Sequence, residues 1–531
     1  MAFPSLAFLV FFAVVLAGYY LTPRPVRWVW LLAASLWFYL SAGIQTLPLL
    51  AVSVCSTYAA ARYMDRVNRE LEEWQAAHKA DASREERKAR RAAAQKRKRL
   101  ALGLALLADL GLLAVIKYTG FALDNLGRLL TGLGLTLTPP EVSWALPLGL
   151  SFYTFTTVGY CLDVYRGTVR AERNLAKYAL FATFFPHITQ GPISRFGELA
   201  PQLLEGHPYD YVQVTHGLQR MAWGAFEKLV VADRLALLVN TVWADPGACT
   251  GLQLTLAILC YAIQIYADFA GYMDMAVGAA QAMGITLAEN FKSPYFSTSI
   301  PEFWRRWHIT LGSWFREYLF YPVLRSGWCS RLGKGLKGRL GTAGAGRVTT
   351  VLALIIVWSA TGLWHGASWH YVAWGLWHGG LIILSTLFTP WWERTADRLG
   401  VPRRAAWYRV LQGIRTFALV CLGYVFFRSS GMAQSLAILR GLLDVQPGSL
   451  GGGRLFQLGL DQPDFWAAAL STAALLAVDV CRARDYSLRD ALDRRGIWLR
   501  WPVYLALLLC VLVFGMYGPG YDAGSFIYQG F

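Results

Sequence analysis

The chain carries little charge for its length. Only 16% of its 531 residues are Asp, Glu, Lys or Arg, whereas 55% are hydrophobic. Soluble globular domains carry about 25% charged residues. Because repeated apolar segments accompany this shortage, the composition argues against a string of soluble domains and indicates a multi-pass membrane protein.

Acidic residues are also scarce, and several familiar site patterns are missing. The 33 Asp and Glu residues leave a formal charge of +17 against 50 Lys and Arg. Cytoplasmic loops of membrane proteins collect such an excess, so nucleic-acid binding is not needed to explain it. No CxxC pair, nucleophile elbow, P-loop or dinucleotide fingerprint occurs. We therefore expect neither a disulfide framework nor a cysteine metal site.

Apolar segments follow one another along most of the chain. They predict an all-α membrane protein with about ten or eleven spans, together with re-entrant or interfacial helices. Residues 62–99 form a polar insert with 13 Lys/Arg and 7 Asp/Glu, rich in helix formers, which we expect to be helical, exposed and cytoplasmic. Counting spans from this insert places both chain termini outside. Residues 178–324 do not resolve into clean spans.

Residues 361–380 read TGLWHGASWHYVAWGLWHGG and hold three of the eight histidines. A helix from Arg347 would carry His365 about 27 Å, across most of the hydrocarbon core, and Gly366 would end it. Ionisable groups at such depth are costly and usually face a cavity. We therefore interpret His365 as functional, and His370 and His378 as packing residues. Their spacing does not match an HExxH site, so we expect no metal.

A second group of residues occupies 301–322, PEFWRRWHITLGSWFREYLFYP. At helical spacing Trp304, His308 and Phe315 fall near one face, and Arg305 falls on another. A helix at the membrane interface would also carry Trp, Tyr and Arg. It would give no reason for the central imidazole, so His308 is the second functional candidate.

Two further segments are polar at membrane depth. Residues 261–278 include Gln264, Asp268 and Asp274, and residues 185–196 include His187, Gln190 and Arg195. A cavity lining and a structural ion pair explain these side chains equally well.

The buried histidines come without an obvious side-chain nucleophile. This combination fits acyl transfer, in which a general-base histidine activates an acceptor hydroxyl to attack a thioester directly.

Several motifs resemble the membrane-bound O-acyltransferase family, nearest to its alginate O-acetyltransferase-like branch and related to D-alanyl transfer proteins. The matches run in order from about residue 5 to the C-terminus, whose FIYQGF only approximates the family ending. The motifs are PLGLSFYTFTTVGYCLDVYRG, FPHITQGPISRF, FEKLVVADRLA, YADFAGYMDMAVG, the segment 289–322 and GLWHG.

The resemblance implies a many-helix enzyme around a central tunnel, with His365 and His308 at the reaction centre. His365 would act as general base, and His308 would orient or polarise the thioester carbonyl. The chain then divides into N-terminal helices 1–61, the basic insert 62–100, a catalytic core 101–400 and C-terminal helices 401–531. The implied tunnel-lining candidates are Trp304, Arg305, Trp364, Asp268 and Gln190.

The expected function is relay of acetyl from cytoplasmic acetyl-CoA, with no tightly bound cofactor, to an extracytoplasmic acceptor for exopolysaccharide or cell-wall O-acetylation. The expected partners are a second extracytoplasmic acetyltransferase, a polysaccharide and membrane lipid, and the expected location is the inner membrane. D-alanyl transfer from a carrier-protein thioester to teichoic acid is the alternative, and a transporter or channel is a weaker one.

Overall fold

A computed structural model describes residues 1–135, 140, 147 and 149–517. The regular secondary structure of these residues is helical, and their one β contact is an isolated bridge between Phe291 and Trp307. The predicted all-α fold is confirmed. The aromatic C-terminal ending FIYQGF, and with it the predicted position of the C-terminus, lies outside the described residues.

The described chain divides into two compact units. The first comprises Met1–Leu218 and Ala276–Ala288. Its helices are α1 (Leu6–Leu21), α2 (Arg27–Leu40), α3 (Leu47–Ala77), α4 (Arg84–Gly132), α5 (Leu150–Arg166), α6 (Leu175–Thr183), α7 (Phe185–Ile188) and α8 (Phe196–Glu205). The four predicted sequence segments remain a prediction.

The predicted insert is helical. It consists of the end of α3 and the start of α4, which pack against each other. Ser83 caps the start of α4 with a capping box. Its side chain accepts a hydrogen bond from the Glu86 N–H, and the Glu86 carboxylate accepts one from the Ser83 N–H. Most of the basic side chains are exposed, but Lys98 is buried and donates to Asn68 and to the carbonyl of Tyr165.

A buried carboxylate joins three helices of this unit. Asp109 on α4 accepts hydrogen bonds from Ser53 on α3 and, at 2.6 Å, from Thr157 on α5. Buried polar groups are stable when paired in this way. The pairing fixes the rotation of the three helices about one another.

The second unit comprises Gln219–Met275 and the chain from Glu289 onward. Its helices, two of which continue into the first unit, are α9 (Tyr211–Ala225), α10 (Asp233–Ala244), α11 (Gly251–Ala282), α12 (Ile300–Arg306), α13 (Ile309–Phe315), α14 (Tyr321–Leu324), α15 (Gly327–His365), α16 (Trp369–Arg398), α17 (Ala406–Arg428), α18 (Met432–Gly441), α19 (Gln462–Ala483), α20 (Leu488–Asp493) and α21 (Ile497–Phe514). Phe226–Ala232 and Arg316–Phe320 are π-helical.

Eight helices of the described chain are long and apolar enough to cross a membrane: α3 with its preceding turn, α4, α11, α15, α16, α17, α19 and α21. The sequence predicted ten or eleven spans. The difference arises because α1, α2 and α5, which the sequence counted among the spans, have only 16, 14 and 17 residues. A perpendicular span needs about 20.

Candidate active site

His365 is the last residue of α15. Gly366 is extended, with φ −173° and ψ 150°, so the helix ends where the sequence predicted. The histidine is only 2% exposed. Burial at the end of a long apolar helix gives this imidazole a fixed position in a medium of low dielectric constant.

Small residues set the separation of α15 and α16 next to His365. A Cβ added at Gly362 would lie 2.5 Å from the carbonyl oxygen of Tyr371. A Cβ on Gly375 would overlap the carbonyl of Trp358 and lie 3.1 Å from the Gly362 Cα. The two backbones therefore touch, as small residues allow between membrane helices.

His308 lies between α12 and α13 in the left-handed region, with φ 45°. Only Ser293 and Asp485 among the other described non-glycine residues have positive φ. The helical spacing applied to residues 301–322 is therefore wrong across this point, because Trp307 is extended and pairs with Phe291. Non-glycine residues in this region cost free energy and cluster at functional sites.

The structure brings the two predicted histidines together around Trp364. Its ring lies 6.3 Å from the His308 ring and 4.6 Å from the His365 ring, measured between centroids. The imidazoles are therefore no farther apart than these two distances laid end to end. Trp374 and Phe427 pack edge-on against His365 at 4.6 and 5.1 Å.

His308 is 2% exposed, and its ring packs edge-on against Phe269 at 4.8 Å. It lies outside the eight apolar helices, and burial lowers its pKa to about 3. The imidazole is therefore neutral at physiological pH. A neutral ring can accept a proton at one nitrogen while it donates at the other.

The sequence did not predict Asn290 as a neighbour of His308. The Asn290 Oδ1 lies 3.4 Å from the His308 Nδ1 and accepts from the Thr310 N–H and hydroxyl at 3.0 and 2.7 Å. Asn290 is 1% exposed. It lies in the connection before α12, where no periodic pattern marks a buried polar side chain.

Trp304 is the centre of a second aromatic cluster. It contacts Trp358, Trp374 and His378 with ring centroids 4.8, 5.6 and 4.9 Å apart. His378 is fully buried, and within the described chain neither ring nitrogen has a hydrogen-bond partner. His370 pairs with the Ser368 hydroxyl at 2.8 Å. Trp374 contacts both His378 and His365, so it connects this cluster to the histidine site.

The remaining tunnel-lining candidates lie in different surroundings. Arg305 is exposed. Asp268 is buried and pairs at 2.7 Å with Lys228, which also pairs with Asp233 at 2.7 Å. Gln190 belongs to the first unit, where it is buried and its Oε1 has no partner among the described residues. The lining role stays a prediction for each of them.

A buried ionic network stands close to Asn290 along the chain. Asp274 accepts from Arg220 at 2.7 Å and from Arg482 at 3.3 Å, and Arg220 also pairs with Glu289 at 2.6 Å. Structural pairing is therefore the observed role of Asp274, one of the two explanations that the sequence left open.

Glu227 was not singled out from the sequence. It is fully buried on the π-helical segment Phe226–Ala232 and accepts from the Trp223 indole at 2.7 Å. Burial raises its pKa well above the ordinary value. The surrounding motif FEKLVVADRLA entered the sequence analysis only as part of the family resemblance.

No group of three or more His, Cys, Asp or Glu side chains in the described part of the chain could hold a metal ion. The histidine site itself is built from aromatic rings, an amide and a hydroxyl. The expectation of a metal-free reaction stays a prediction.

Comparison with known proteins gives a family and several relatives. The profile of MBOAT, the membrane-bound O-acyltransferase family, matches residues 169–411. A probable alginate O-acetylase of Azotobacter vinelandii is 34% identical over 435 residues, which are 81% of this chain and 76% of that protein. A peptidoglycan O-acetyltransferase of Helicobacter pylori is 29% identical over 478 residues, 85% of this chain and 79% of its own.

The matches do not all extend over whole proteins. With a probable alginate O-acetylase of Pseudomonas syringae pv. tomato, identity is 36% over 62% of this chain, which spans only 58% of that relative's length. A teichoic acid D-alanyltransferase of Bacillus subtilis is more distant, at 28% identity over 53% of this chain and 68% of its own.

Proposed function

Because the chain belongs to the membrane-bound O-acyltransferase family, we propose that it relays acetyl groups from cytoplasmic acetyl-CoA to an extracytoplasmic acceptor. The acceptor would serve O-acetylation of an exopolysaccharide, alginate-like in chemistry, or of the cell wall. Relatives named for alginate and peptidoglycan O-acetylation support this choice. The observation that carries it is the meeting of His308 and His365 at one buried tryptophan.

His365 is the general base of the proposed reaction. Its imidazole takes the proton of the acceptor hydroxyl while that oxygen forms a bond to the carbonyl carbon of the thioester. The carbon–sulfur bond breaks, and the thiolate leaves and takes up the proton. His308 orients the reacting groups. The aromatic walls around both rings exclude water, which would otherwise hydrolyse the thioester.

Membrane topology supports a relay between two compartments. As a member of a membrane-bound family with eight apolar helices, the chain is a multi-pass membrane protein. We place it in the inner membrane with both termini outside, because the basic insert and later basic loops then face the cytoplasm. A second acetyltransferase outside the membrane would pass acetyl to the polysaccharide.

The test compares His365→Ala with His370→Gln in the same membranes. His370 lies five residues further along the chain and pairs with Ser368, so its substitution controls for loss of a buried imidazole. We expect His365→Ala to reduce acetyl transfer from labelled acetyl-CoA by roughly 10²-fold or more, which is the usual size of a general-base effect. Transfer by His365→Ala equal to that of His370→Gln would overturn the assignment.

D-alanyl transfer is the alternative that the comparisons do not favour. Relatives with that name are more distant than the O-acetylases. The alternative requires a phosphopantetheinylated carrier protein as donor, and the proposed function requires acetyl-CoA. Supplying each donor separately to purified protein in liposomes distinguishes them. Solute flux without either donor would instead indicate a transporter or channel.

A further inference from the structure

We propose that Asn290 is a positioning residue that holds His308 as the Nδ1–H tautomer, so that the His308 Nε2 faces the reaction as a hydrogen-bond acceptor. The expected effect on acyl transfer rests on the proposed function. The assignment of the tautomer rests only on the contacts of Asn290. Its basis is one buried side chain that contacts the ring, the following turn and a neighbouring helix.

The orientation of the Asn290 amide follows from its partners. Its oxygen accepts from the backbone N–H of Thr310 at 3.0 Å, and a backbone N–H can only donate. The Thr310 hydroxyl donates to the same oxygen at 2.7 Å. The amide nitrogen faces the Met273 sulfur at 3.0 Å. In a flipped amide the NH₂ group would face the two Thr310 donors and could accept from neither. The side-chain oxygen is therefore the atom next to His308.

That oxygen decides which nitrogen of His308 carries hydrogen. It lies 3.4 Å from Nδ1, and an amide oxygen has lone pairs but no hydrogen to donate. The favourable neutral tautomer therefore has hydrogen on Nδ1 and a lone pair on Nε2. Such a ring cannot donate from Nε2 to a thioester carbonyl. It can orient a substrate group that carries hydrogen.

The backbone around Asn290 holds the same turn. The Asn290 carbonyl accepts from the Ile309 N–H at 3.0 Å, and the Lys292 N–H donates to the Arg306 carbonyl at 3.0 Å. His308 keeps its left-handed conformation between these two bonds. A strained residue persists when its surroundings over-determine it. Asn290 thus fixes both the tautomer and the direction of the ring.

Both ends of this short segment are anchored away from the histidine. Glu289 pairs with Arg220 at 2.6 Å, and the Ser293 hydroxyl donates to the Asp479 carbonyl at 3.0 Å. Ser293 is as buried as Asn290, at 1% exposure, but it makes no contact with His308 among these bonds. It therefore provides a matched control for loss of a buried hydrogen bond in the same segment.

The kinetic test uses Asn290→Ala, Asn290→Asp and the control Ser293→Ala in liposomes. Asn290→Ala should lower kcat about tenfold with an unchanged KM for acetyl-CoA. Asn290→Asp keeps the acceptor oxygen but adds a negative charge, which favours the doubly protonated ring. Asn290→Asp should therefore be active at alkaline pH. On acidification it should lose activity about one pH unit above the pH at which the wild type loses it. Ser293→Ala should keep the wild-type kcat and pH profile.

A spectroscopic test reads the tautomer without any turnover. Protein labelled with ¹⁵N-histidine should show a Nδ1–H signature that disappears in His308→Asn and changes in Asn290→Ala. A Nε2–H signature for His308, or an Asn290→Asp pH profile that superimposes on the wild type, would overturn the inference. Absence of acetyl transfer together with the Nδ1–H signature would instead refute the proposed function and leave the positioning role standing.

Discussion

The contact between α15 and α16 next to His365 can be tested with a single methyl group. In Gly362→Ala the new Cβ would lie 2.5 Å from the Tyr371 carbonyl oxygen, whereas ordinary contacts begin at 3.4 Å. Backbone atoms on both sides leave no flexible side chain to move aside. The helices would have to separate by about 1 Å, because packed interiors do not compress. Overpacking of this kind costs about 1–3 kcal/mol.

The matched control lies on the same helix. A Cβ at Gly346 has no heavy atom within 4 Å, so Gly346→Ala should be neutral or stabilise α15 by up to about 1 kcal/mol. Thermal unfolding in detergent should show a lower midpoint for Gly362→Ala only. Acetyl transfer should fall in the same variant, because His365 lies three residues beyond the added methyl group and would be displaced from Trp374. Equal midpoints and equal transfer rates for the two variants would refute the packing argument.

Two further predictions concern stability. Asp274→Asn should lower the free energy of unfolding by about 3–5 kcal/mol, because Arg220 and Arg482 lose a buried carboxylate. Glu289, the other partner of Arg220, is half-exposed, so Glu289→Gln should lower the free energy of unfolding by only about 1 kcal/mol or less. Chemical denaturation of both variants checks this, and similar losses would contradict it. Burial lowers the pKa of His187 to about 4, so the folded state resists its protonation, and stability should fall as pH decreases from about 6.5 towards 4. His187→Gln should remove up to about 3 kcal/mol of that loss in unfolding measurements across this range; identical pH slopes would argue against the assignment.

Hydrophobic composition predicted the fold class because lipid requires every backbone hydrogen bond to be made within a segment. The helices carrying Arg347 to His365 and the ends of the basic insert are present as expected. The family resemblance, read from short motifs, is also confirmed. The sequence counted short helices such as α2 among the spans, because periodicity gives the type of a segment more reliably than its length.

The surroundings of the histidines were less predictable. The sequence selected His308 and His365 because imidazoles are rare in apolar segments, but helical spacing placed His308 on one face with Trp304 and Phe315. The break comes from pairing between Phe291 and Trp307, which are sixteen positions apart and share no periodic pattern. Asn290 could not be predicted for the same reason, because the role of this polar loop residue comes from its contact with His308, eighteen positions along the chain.

The bond between Asp274 and Arg482 has a consequence for biogenesis, since its partners are 208 positions apart. A ribosome releases the aspartate long before the arginine, so α11 enters the bilayer with only part of its counter-charge in place. The nascent protein must therefore shelter this carboxylate until α19 is delivered. Truncation before α19 should leave a chain that inserts but is recognised by quality-control proteases as unfinished.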